Sequence, residues 1–309
     1  MAEIIQRAGT WTFDGDTLRI VPGNGKSTHT LRRELGEVAV PLEAVAGIAY
    51  EAGHGRKAGR LRVRLRTGAD PLAHVAGGRL PDAADPYQLA VDGDRAGVAE
   101  YVVDEVRNAL LLEQVADGPC DRYLLPGPSV PRTAAGTDGT AVFDGERVQL
   151  EWNWMAEESK SSGGPRTLPL DELTAVEWTP AVGWQNGSLR FRPRGGHTAP
   201  KPEHDPNCVL LWGVRQARET GGAVLLAAAV AARLPHPGAG PPPALAEGAS
   251  AVAAGATASA PPSLVKSAPE DADHDALLRR LRELGELHRE GILTDEEFAA
   301  AKRAVLNRF

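Results

Sequence analysis

The sequence predicts a mainly β protein with some α: two tandem β-barrel or sandwich domains, each closed by a C-terminal helix, then a disordered Pro/Ala linker and a C-terminal helical hairpin. Three observations carry this. One is an internal repeat. Gly9-Thr-Trp-Thr-Phe-Asp-Gly-Asp16 returns as Gly139-Thr-Ala-Val-Phe-Asp-Gly-Glu146, Pro41-Leu-Glu43 as Pro169-Leu-Asp171, Leu61-Arg-Val-Arg64 as Leu189-Arg-Phe-Arg192, and Asp85-Pro86 as Asp205-Pro206. Four blocks recurring in the same order mark two copies of one unit. The second is a composition break: residues 235–268 are almost wholly Pro, Ala, Gly and Ser. The third is a leucine stripe at helical spacing near the end, Leu277, Leu281, Leu284 and Leu287. A chain of 309 residues has room for about two domains and a tail.

The domains are placed at residues 1–115 and 138–235, with linkers at 116–137 and 236–270 and the hairpin at 271–309. Phe13-Asp-Gly-Asp16 between β-rich runs is a hairpin signal. Residues 45–50 and 60–66 follow as strands. The second of these alternates, so Leu61 and Val63 are expected inside and the arginines outside. Tyr87–Val91 is the last strand. Val98, Val102, Val106, Ala109 and Leu110 then recur at helical spacing and close the unit with an amphipathic helix. Its counterpart in the second copy runs from Ala223 to Leu234. The run Ala223–Ala232 is too short to span a membrane, which needs about 20 apolar residues, and reads as a buried helix. Strands followed by one C-terminal helix is the order of a pleckstrin-homology-like (PH-like) barrel.

Four prolines break the chain between residues 117 and 137. The longer linker lacks the apolar surface to offset its ordering entropy. It reads as a tether of about 30 Å r.m.s. span. In the hairpin, Gly291 stops the first helix and Thr294-Asp-Glu-Glu297 caps the second, whose buried face continues through Phe298, Ala301 and Val305. So short a hairpin makes no adequate core alone, so its leucines must be covered by another copy, by the repeats or by a partner.

The tandem units resemble an actinobacterial domain of unknown function, family 4429, grouped with bacterial PH-like domains. The resemblance rests on Gly-x-x-x-Phe-Asp-Gly-Asp/Glu, the Pro-Leu-Glu/Asp block and the Leu-Arg-x-Arg strand, and it implies no assigned activity. The tail is similar to the SHOCT (short C-terminal) domain through the Leu277/Leu281/Leu284 stripe, Gly291-Ile-Leu-Thr294, Glu297-Phe298 and Lys302. That resemblance implies a role in oligomerisation for Leu277, Leu281, Leu284, Leu287, Phe298 and Val305.

Motifs for chemistry are weak. Gly23-Asn-Gly-Lys-Ser27-Thr28 looks like the end of a phosphate-binding loop, but Ile20 stands where that loop needs glycine, and residues 28–34 do not read as a helix. The equivalent stretch, residues 157–164, is equally Ser/Lys/Gly-rich, and both read as mobile hairpin loops. His197, His204, Asp205 and Cys208 crowd one loop without a zinc spacing. No serine has a nucleophile context and no acid pair an acid–base one. The sequence therefore predicts no enzyme, no metal site, no cofactor and no small-molecule substrate. Two cysteines exclude a disulfide scaffold and fit a cytoplasmic location, as does an N-terminus without a secretory signal. A net charge of −7 argues against nucleic acid, and acids in the hairpin would repel phosphate there.

The candidate site is a basic stripe: Arg60, Arg62, Arg64 and Arg66 on one strand face, with Lys57 just before it, and Arg190, Arg192 and Arg194 in the second copy. Such a row can hold carboxylates or phosphates in bidentate fashion. Alternatively its members pair with cross-strand acids as a solvated sheet face. Trp152 and Trp154 read as one strand face, either core or an exposed pairing edge, which makes the second copy the stronger contact module. Together these features predict a non-enzymatic cytoplasmic adaptor that binds a protein partner and self-associates through its tail. The alternative is a peripheral membrane sensor whose arginine stripe meets anionic lipid.

Overall fold

In a computed structural model of the chain, residues 1–239 are described apart from 27, 55–56, 183–184, 196–199 and 212–215; for residues 216–220 the description covers the backbone alone. The tether beyond 239, the hairpin and its stripe, Leu277, Leu281, Leu284, Leu287, Phe298 and Val305, therefore lie outside the described residues, as do Arg56, Trp184, His197 and Trp212.

Strands β1 (Ala2–Gln6), β2 (Gly9–Phe13), β3 (Thr17–Pro22) and β4 (Val38–Pro41) form one antiparallel sheet in that order. Strands β5 (Val45–Glu51), β6 (Gly59–Leu65) and β7 (Gln88–Val91) form a second. Short helices α1 (Thr30–Leu35) and α2 (Pro71–Ala76) sit in the connections, and α3 (Ala96–Leu112) closes the unit. The second copy repeats the plan. Strands β8 (Arg132–Ala135), β9 (Gly139–Phe143), β10 (Arg147–Trp152) and β11 (Arg166–Pro169) pair in one sheet, and β12 (Leu173–Thr179), β13 (Gly187–Pro193) and β14 (Cys208–Leu211) in the other. One turn of helix, α4 (Glu158–Ser161), and the closing helix α5 (Gln216–Ala231) complete it. A register shift falls at the same place in both copies, beside Val45 and beside Leu173. The fold is thus mainly β with two tandem sheet pairs, as the repeat predicts.

The alternating strands sort as the pattern requires. On β6, Leu61 and Val63 are buried while Arg60, Arg62 and Arg64 face out. The Phe-Asp-Gly motif makes the same turn twice. Asp14 Oδ1 accepts from the backbone of Asp16 and Thr17, and Asp144 Oδ1 from Glu146 and Arg147. The glycine between has φ of 114° at Gly15 and 112° at Gly145, a conformation that a side chain would strain.

Three expectations change. Residues 30–35 are helical because His29 Nδ1 caps the turn, Leu31 is fully buried, and Gly36 ends it at φ 75°. Residues 158–161 are not a mobile loop: Lys160 is buried and holds them down. The segment assigned as linker 116–137 contains β8, so the second copy begins before residue 138. Residues 120–125 of that segment pack on the first copy, with the amides of Cys120, Leu124 and Leu125 donating to Thr67 and Ala69 carbonyls and with Cys120 and Leu125 buried.

The closing helices differ. α3 is amphipathic, with Ala99, Val102, Val103 and Val106 inside and Tyr101, Leu111 and Leu112 exposed. α5 is covered all round, each of residues 223–231 being at most 6 % exposed. It packs on β8 and β12 of its own copy and on α1 and α2 of the first. Leu31, Leu72, Val75 and Ala76 accordingly share one apolar cluster with the second copy's core. No described helix is long and apolar enough to cross a membrane.

Candidate functional site

The arginines of the two copies occupy matched strands, β6 and β13, and meet opposite fates. In the second copy they are spoken for. Arg192 forks onto Glu177, both bonds at 2.9 Å, which raises the pKa of an already permanent cation. Arg190 pairs with the buried carboxylate of Asp205 at 2.9 Å and donates to the Pro200 carbonyl. Arg194 is bound at its backbone to the Glu172 carbonyl at 2.6 Å, and its guanidinium reaches the Asp171 carbonyl. This is the paired sheet face.

In the first copy the row is split. Arg60 pairs with Asp82 at 2.7 Å. Arg66 donates to the carbonyls of Gly118 and Glu43, both at 2.9 Å, and so ties the inter-repeat segment down. Arg62 and Arg64 are exposed and have no ion pair among the described residues. The repeat explains why. Ala49 stands where the second copy has Glu177, so the carboxylate that Arg192 uses is missing for Arg64. Asp85 stands where the second copy has Asp205, but its two oxygens are taken by the Tyr87 amide and by Gln88 Nε2 at 2.7 Å. The residue matching Gln88 is Cys208, which offers no such donor and leaves Asp205 to Arg190.

Arg62, Arg64 and Arg66 line an open groove of about 1480 Å³. This exceeds the usual 300–1,000 Å³ of small-ligand pockets. Arg107, Leu110 and Leu111 of α3 also line it. Arg107 forks onto the Ile48 carbonyl at 3.2 and 3.1 Å. The sequence reading took its cations from two strands and the loop before β6 and missed Arg107; its signal was a lone arginine at the end of the polar face of α3. Asp82 and Asp85 also reach the groove, against four arginines. Lys57 lies exposed in the loop before β6 and does not line it.

His74 and His236 also line the groove, and Tyr123 stands against both. The Tyr123 hydroxyl meets His74 Nδ1 at 3.2 Å, its ring stands edge-on to His236, and His236 Nε2 meets the Gly68 carbonyl at 2.9 Å. Burial, and then the nearby His236, push the His74 pKa down.

The remaining candidates settle elsewhere. Cys208 points inward on β14, and burial raises its thiol to about 11, so it is no nucleophile at neutral pH. Asp205 faces Arg190, and no group of three metal-ligating side chains occurs among the described residues. Trp11 and Trp178 are core. Trp154 does not share a strand face with the half-buried Trp152: β10 ends first, Asn153 folds the chain over by accepting from the Met155 amide, and Trp154 stands 91 % exposed.

Residues 11–107 and 141–231, more than half of the chain, match the family model described as Domain of unknown function (DUF4429). Residues 279–306 match the one described as Short C-terminal domain (SHOCT). No curated protein matches the chain.

Proposed function

Because the chain belongs to the DUF4429 family and ends in a SHOCT domain, we propose that it is a non-enzymatic cytoplasmic adaptor: the first β unit holds an acidic protein partner, and the tail brings copies together. One observation carries the binding half. Among the described residues Arg62 and Arg64 have no ion-pair partner in an open groove, while their counterparts in the second copy are neutralised. Two adjacent guanidiniums without counter-charge attract carboxylates and give a salt-dependent encounter. The groove is walled by α3, which favours a chain entering it over a flat anionic bilayer. The assembly half rests on the leucine stripe, which needs a cover.

Binding of poly-glutamate by the full chain, followed by fluorescence anisotropy at low and high salt, tests the first half. Affinity that falls with salt and is lost in Arg62→Glu/Arg64→Glu supports it. Equal affinity in the variant overturns it. Salt-sensitive pelleting with anionic vesicles but no poly-glutamate binding would replace it with the membrane reading. Light-scattering mass of the full chain against a version ending at Pro269 tests the second half; equal masses remove the tail as the assembly element.

A further inference from the structure

The same groove has a directional character that charge alone does not explain. On β5, the neighbours of Arg62 and Arg64 are Ala49 and Gly47, the smallest side chains available. A Cβ on Gly47 would lie 3.7 Å from Arg64 Nη2, so this guanidinium lies across β5. The matched positions of the second copy, Glu177 and Ala175, do not leave that path clear. β5 is an edge strand: it pairs with β6 and with no other strand. The ladder on the far side of β6, where the Val63 amide donates to the Tyr87 carbonyl, turns the backbones of Arg62 and Arg64 toward β5. Gly47 and Ala49 answer them, so Ile48 and Tyr50 direct their N–H and C=O groups away from the sheet. Arg107 takes the Ile48 carbonyl. The Ile48 amide and both backbone groups of Tyr50 have no hydrogen-bond partner among the described residues.

We propose that an extended acidic segment enters the groove along β5, pairs with the backbone of Ile48 inside it and of Tyr50 just beyond its lining, and places carboxylates from every second residue on Arg62 and Arg64. This rests on the partner-binding reading above and names the form of the partner. Side chains two apart on an extended chain share a face about 7 Å apart, the same spacing as the two arginines on β6. α3 packs beside β5, and where it leaves the groove open a strand edge with unpaired backbone groups offers main-chain hydrogen bonds to such a segment, while the side chains supply selectivity. The intervening residues of the ligand face the other way, and Leu110 and Leu111 on the groove wall suit apolar ones.

The test uses the full chain and four fluorescent eight-residue peptides, each built from four Glu and four Val: the alternating sequence, four Glu followed by four Val, and the alternating sequence N-methylated at every second residue in each of its two registers. The alternating peptide is expected to bind about tenfold more tightly than the block peptide. One N-methylated register, the one whose N–H groups face β5, is expected to lose about tenfold, as loss of one or two hydrogen bonds implies. Equal binding by all peptides would overturn this inference and leave the acidic-partner reading standing, since charge would then suffice. No binding by any of them would overturn both.

Discussion

At the residue scale the repeat acts as an internal control, because each copy shows what the other would do with one side chain changed. Ala49→Glu places in the first copy the carboxylate that Glu177 supplies to Arg192. It is expected to neutralise Arg64 and weaken acidic-peptide binding by at least tenfold while leaving the unfolding midpoint nearly unchanged, since the site is exposed. The turn glycines make an independent prediction. Gly15→Ala and Gly145→Ala force a side chain into positive φ and should each cost about 1–3 kcal/mol, read from denaturant midpoints. Asp14 and Asp144 carry a pH dependence of known sign. Backbone amides of Thr17 and Asp16 hold Asp14, and those of Glu146 and Arg147 hold Asp144, below the usual carboxylate pKa. A lowered folded pKa stabilises above the unfolded value of about 4 and is lost as pH falls through the folded value. The double variant Asp14→Asn/Asp144→Asn, which keeps the acceptor oxygens, should therefore lose less stability than the natural chain between pH 5 and 2; an unchanged acid limb would refute this. The stripe itself was legible as an alternation on β6. Its pairing state was not, because partners such as Glu177 and Gln88 sit on other strands whose register decides who meets whom.

At the element scale the closing helices show how environment sets pattern. α3 has one wet face and reads as amphipathic; α5 is clamped between its own sheets and α1/α2 of the first copy, so its alanine-rich run has no polar side. The sequence reading recognised both as helices and α5 as buried, but not what covered it. α2 carried legible signals that went unread: Asp70 caps it by accepting from the Leu72 and Ala73 amides, a proline follows, and Gly77 closes it left-handed. Ala228→Glu on α5 would bury a charge with no partner and is expected to abolish cooperative folding, whereas Asp104→Ala on the exposed face of α3 should shift stability by less than about 0.5 kcal/mol. α4 is fixed differently. Lys160, fully buried, donates to Asp138 at 2.5 Å and to the Cys208 carbonyl at 2.8 Å, beneath the Trp152 ring. Removing one partner strands the other, so Lys160→Ala should cost about 3–5 kcal/mol, and Lys160→Met/Asp138→Leu much less. Equal losses in the single and double variants would show that the pair itself stabilises.

At the scale of the whole molecule, two copies of one domain do not amount to two independent domains. The described residues form one compact unit, and α5 draws apolar side chains from both repeats into one cluster. A fragment holding residues 1–115 alone would expose Leu31, Leu72 and Val75, and it is expected to aggregate, while the pair unfolds in a single transition. The sequence showed the duplication but not the shared helix, since periodicity records that a face is buried and not by what. This arrangement also constrains binding. On the proposed reading, with the second copy's described arginines neutralised, each chain offers one acidic-segment site, so the β units alone would not supply avidity. On that reading multivalent attachment would come from the tail. Ending the chain at residue 245 should leave the affinity for a single soluble peptide unchanged, yet lower retention on a surface densely coated with the same peptide by about 10²–10⁴-fold, the usual gain from linked sites. Surface plasmon resonance at low and high peptide density separates the two. Equal retention at high density by the full and shortened chains would show that the tail contributes no multivalency, and the adaptor would then work as a one-to-one binder.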